Sequence, residues 1–82
     1  MTKSIHNWEE LSRLRPNTNY RIEMEPDDIG AWIRPTRAYL KKVKNEPMSK
    51  HSVYLNTHVF EGDNKKWATE MLNKHGFDVV VK

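Results

Sequence analysis

The chain has 82 residues, of which 37% are apolar and 30% charged, with a net charge of +3 and no cysteine. That length supports one domain, residues 1–82, around one modest core, and three tryptophans, three tyrosines and two phenylalanines supply bulk that disordered tails lack. The missing thiols exclude disulfides, thiolate metal sites and cysteine nucleophiles, and no apolar run reaches the ~20 residues of a membrane-spanning helix.

The N-terminal stretch MTKSIHNWEELSRLRP has no apolar h-region, so a cytoplasmic protein is expected. Within it, Asn7 followed by Glu10 forms a capping-box pattern. Trp8, Leu11 and Leu14 recur at helical spacing, and Pro16 stops the helix they imply. PNTN is a turn. YRIEME then alternates, with Tyr20, Ile22 and Met24 on one face and Arg21, Glu23 and Glu25 on the other, which predicts a half-buried strand. PDDIG turns the chain again.

AWIRPT and AYLKKV are expected as strands joined or kinked at Pro35, because proline cannot donate to a ladder. NEPMSK reads as a loop, and HSVYLNTHVF as another alternating strand. Asp63 or Asn64 caps a second helix through residue 75, with Trp67, Ala68, Met71 and Leu72 as its buried face. Gly76 sits where a helix-closing glycine belongs, and Phe77 is placed for the accompanying apolar contact. FDVVV is the last strand, apolar at three successive positions. The predicted order is α-β-β-β-α-β. It implies an α+β fold, a single two-layer domain with two helices on one face of a mostly antiparallel sheet. The second helix would form a parallel crossover if its flanking strands share that sheet.

Candidate chemistry is sparse. His6, His51, His58 and His75 include no i, i+4 pair, so no metal site is expected. Glu23, Glu25 and Asp27 at period two are best read as a solvated strand face. Ser4, Ser12, Ser49 and Ser52 lack a nucleophile elbow; Gly30, Gly62 and Gly76 stand singly, so no phosphate cradle or cofactor site is expected. These readings together favour a protein that is not an enzyme.

Charge is the positive signal. Residues 1–33 hold six acids against four bases, whereas residues 34–51 hold Arg34, Arg37, Lys41, Lys42, Lys44 and Lys50 against Glu46 alone. Clustered cations bind nucleic acid by displacing counterions from phosphate, and exposed aromatics stack unpaired bases. As a strand, Arg37, Tyr39, Lys41 and Val43 would share a face, with Tyr39 or Trp32 as the platform. The leading expectation is a small binding or regulatory protein that meets RNA or DNA through this segment. The alternative is a protein–protein module, such as an inhibitor or adaptor of the kind mobile genetic elements encode, set against an acidic protein surface or a partner's sheet edge. Self-association through an uncovered edge is a third. No membrane contact is expected.

Overall fold

The computed structural model describes residues 2–26 and 30–82, apart from the side chains of Met48 and Ser49. The turn expected at PDDIG therefore falls, at Asp27, Asp28 and Ile29, outside the described residues.

Among the described residues, five strands and three helices follow one another: β1 (Lys3–Ile5), α1 (Trp8–Ser12), β2 (Tyr20–Met24), β3 (Gly30–Pro35), α2 (Arg37–Lys42), a 3₁₀ turn at Met48–His51, β4 (Val53–Asn56), α3 (Asn64–Lys74) and β5 (Val79–Val81). The fold is α+β, with a three-stranded antiparallel sheet in the order β2-β3-β4 and a separate parallel pair, β1-β5.

Asn7 caps α1 as expected, its Oδ1 accepting from the Glu10 amide at 2.9 Å. Glu10 reaches back to the amide of His6 rather than to that of Asn7, so the box closes one residue before the cap. The helix stops at Ser12, short of Pro16, because Arg13 and Leu14 bond to carbonyls three residues back and tighten the last turn.

Register explains how β3 tolerates its proline. Glu25 donates to the Gly30 carbonyl and Thr36 to the Asn19 carbonyl, so the even-numbered residues of β3 direct their backbone groups at β2 and the odd-numbered ones at β4. Ile33 pairs with Val53, the first residue of β4. Pro35 lies past that strand's end, where its missing N–H deprives no ladder partner.

The same alternation sorts the side chains. Ile22, Met24, Ala31, Ile33, Val53 and Leu55 face inward, meeting Leu11 of α1, Ala68 and Leu72 of α3, and Ile5, Val79 and Val81 of the parallel pair in one core. Arg21, Glu23, Trp32, Arg34 and Tyr54 take the opposite face.

Four expectations are corrected. Residues 37–42 are helix, not strand, because Thr36, extended in backbone, accepts the Tyr39 amide on its hydroxyl and starts a turn that Arg37, Ala38, Leu40 and the lysines favour. The strand expected through residue 60 ends at Asn56, whose carbonyl takes the Val59 amide in a turn. The two strands flanking α3 lie in different sheets, since β5 pairs with β1; β1 is too short to carry a periodic signal. Trp67, finally, is 41% exposed, while Ala68 and Leu72 are buried.

The end of α3 follows expectation. Gly76 adopts φ +90°, its amide bonds to the Asn73 carbonyl and that of Phe77 to the Leu72 carbonyl, and Phe77 is buried. Beyond it, α3 seals the outer side of β5. The Asn73 carboxamide donates to the carbonyls of Phe77 and Val79, and the Thr69 hydroxyl accepts from the Val81 amide while donating to the Lys65 carbonyl. Among the described residues, no helix is long and apolar enough to cross a membrane.

Candidate nucleic-acid interface

The basic segment divides into three environments. On the outer face of the antiparallel sheet, Arg34 lies 4.5 Å over the Trp32 ring, a cation–π contact, and its Nε donates to Glu23 at 2.5 Å. Arg21 approaches the other oxygen of Glu23 at 3.4 Å. Arg34 foremost, then Arg21, holds the Glu23 carboxyl below its ordinary range. The Trp32 indole donates to Glu25, and the Tyr54 ring packs 4.9 Å away at a 54° tilt. Arg34 and Trp32 are thus committed to a lattice in which Glu23 and Glu25 offset Arg21 and Arg34.

Tyr39 points inward from α2. Its ring lies 5.2 Å from Tyr20 and 5.2 Å from His51, and Tyr20 in turn meets His75 at 4.7 Å. Burial, reinforced by Tyr39, pushes the Tyr20 phenol up. His51 donates to Glu46 at 2.5 Å, and Lys50 bonds the other oxygen of that carboxylate at 3.2 Å. His51 foremost, then Lys50, holds the Glu46 carboxyl below its ordinary range. Lys50 is therefore spoken for.

The remaining cations form the third group. Residues 37, 38, 41 and 42 fall on one arc at 100° per residue, opposite residues 39, 40 and 43. Arg37, Ala38, Lys41 and Lys42 are accordingly exposed, Lys44 just past the helix is exposed too, and Tyr39, Leu40 and Val43 are half-buried. Lys41 and Lys42 occupy the last turn, where the helix dipole favours positive charge. Among the described residues, Arg37, Lys41, Lys42 and Lys44 enter no ion pair.

The structure therefore puts Arg37, Lys41 and Lys42 on one exposed face of α2, with Lys44 exposed just past its end, while Arg34, Trp32, Tyr39 and Lys50 are engaged by other side chains. The strand layout that put Tyr39 beside Arg37 and Lys41 is overturned, since helical geometry turns Tyr39 away from both. Two aromatics outside the expected interface are exposed: Tyr54, 38% exposed, and Trp67, which helical spacing assigns to a buried face. Alternation in β4 already set Tyr54 on the face away from Leu55, so its exposure was available from the sequence; Trp67 sits at the margin of the apolar arc of α3, where spacing does not decide. No family model matches this chain, and no curated protein or solved structure shows detectable similarity to it.

Proposed function

We propose that this chain is a cytoplasmic, non-enzymatic protein that holds the phosphate backbone of RNA or DNA through α2 and the residue just past it. One observation carries the reading: among the described residues, Arg37, Lys41, Lys42 and Lys44 stand exposed and enter no ion pair, while Arg34 and Lys50 are paired with Glu23 and Glu46. Like charges this close repel one another, and a polyanion relieves that repulsion while releasing its own counterions. With Tyr39 turned inward and Trp32 engaged by Glu25 and Arg34, the contact is to backbone rather than to bases, so affinity depends little on sequence.

The test is fluorescence anisotropy with labelled oligonucleotides over a salt series. Four phosphate contacts give a slope of log K against log salt of about −3.6 on duplex and about −2.8 on single strands. Replacing Lys41, Lys42 and Lys44 together by alanine removes most of the affinity and flattens the slope. Undetectable binding at low salt, or binding that salt leaves unchanged, overturns the reading.

A protein partner is the second reading, favoured by Trp67, the kind of exposed aromatic that anchors protein interfaces. It predicts a complex that nuclease leaves intact and that Trp67→Ala weakens.

A further inference from the structure

β2 is an edge strand whose outward side is only partly closed. Among the described residues its sheet neighbour is β3 alone, and the ladder bonds at Asn19–Thr36 and Glu25–Gly30 set the parity: Arg21, Glu23 and Glu25 bond to β3, while Tyr20, Ile22 and Met24 direct their amides and carbonyls outward. Asn17 covers the first of these, its amide donating to the Tyr20 carbonyl and its Oδ1 accepting the Tyr20 amide. The outward groups of Ile22 and Met24 meet no backbone or side-chain partner among the described residues.

We propose that this edge pairs with β2 of a second copy of the chain, antiparallel about a two-fold axis, to give a continuous six-stranded sheet. Only one register pairs every free group: Ile22 opposite Met24 of the second copy, and the reverse. That register also brings complementary charge together on the outer face, with Arg21 opposite Glu25 of the second copy at both ends of the contact. Glu23 meets its own counterpart on the axis, where each is already held by Arg34 and Arg21. On the core side, a cleft of about 330 Å³ lined by Trp8, Glu9, Ser12 and Met24 adjoins the position that Ile22 of the second copy takes. The contact is isologous, so it closes at two chains and builds no fibre. It uses none of the α2 cations and stands or falls separately from the phosphate reading.

Disulfide trapping tests the register directly, since the chain has no cysteine of its own. Residues facing each other on the axis as a non-hydrogen-bonded pair have Cα atoms about 4.5 Å apart, inside the disulfide range of about 4.4–6.8 Å. Under mild oxidation Glu23→Cys forms a covalent dimer, while Lys41→Cys on α2 does not. Sedimentation equilibrium of the unmodified chain shows a monomer–dimer equilibrium. Met24→Pro removes an outward amide without touching the β3 ladder and raises the dimer Kd by about tenfold or more. Should circular dichroism show that variant unfolded, Arg21→Glu weakens the dimer by charge and Arg21→Glu with Glu25→Arg restores it. A chain that stays monomeric at millimolar concentration overturns the proposal and leaves the edge to an extended segment of another protein. Equal cross-linking at Glu23→Cys and Lys41→Cys overturns it too, as does a dimer that both Met24→Pro and Arg21→Glu leave untouched.

Discussion

The Asn17 carboxamide donates to the His75 carbonyl at 2.9 Å across 58 residues of sequence, and its oxygen accepts the amides of Asn19 and Tyr20. One side chain thereby ties the turn before β2 to the end of α3. Asn17→Ala frees two amides and a carbonyl at once. At about 1 kcal/mol net per bond, we expect a loss of roughly 2–3 kcal/mol in urea denaturation, larger than for Asn45, which is exposed.

Gly76 stands against that carboxamide. A Cβ there would come within 2.9 Å of Asn17 Nδ2, and φ is +90°. Gly76→Ala therefore combines backbone strain of about 1–2 kcal/mol with displacement of Asn17. Gly62 also has positive φ but meets nothing within 4 Å, so Gly62→Ala carries the strain alone. Parallel thermal melts of the two variants separate the contributions, with Gly76→Ala the lower.

Gly30 makes room for Tyr54. A Cβ at Gly30 would collide with the Tyr54 hydroxyl and lie 2.8 Å from the Leu55 carbonyl. Gly30→Ala is expected to dislodge the Tyr54 ring from Trp32, changing near-ultraviolet circular dichroism, and to cost about 1–3 kcal/mol as an overpacked site does. An unchanged spectrum would show that the Tyr54 ring keeps its place on Trp32 despite the added methyl, against this expectation.

Acid sensitivity follows from Glu23 and Glu46. Both carboxyls sit below the ordinary value of 4.5 in the folded chain, so the stability they confer is complete above that value. It is lost as pH falls through the lowered folded values. Urea midpoints measured from neutral pH downward should drop in that acid range, and Glu23→Gln should flatten the fall because it removes a carboxylate that Arg34 favours ionised. The exposure of both groups keeps the effect modest.

How much of this was legible is best seen at particular residues. The first cap, the alternation of β2, the span of α3 and its glycine stop were readable because each rests on contacts within a few residues. Residues 37–42 misled because Arg37, Tyr39, Lys41 and Val43 alternate as a strand would, while the opposing signal, Thr36 as a cap, was a single hydroxyl. β1 was invisible because three residues carry no period and its partner lies at the other end of the chain. For the interface, charge clustering was readable by counting; which cations Glu23 and Glu46 would neutralise depended on cross-strand register and on a loop, neither encoded locally. The inward turn of Tyr39 followed from the helix that was missed.

The bonds that Thr69 and Asn73 make to β5 have an effect beyond holding the last strand. Consecutive valines are strong strand formers, and a strand edge left open is a template for pairing with another chain; here Asn73 and Thr69 occupy the Val79 carbonyl and the Val81 amide that such pairing would use. Loosening of α3 would uncover those groups, so aggregation is expected to follow the fraying of this one helix as well as global unfolding.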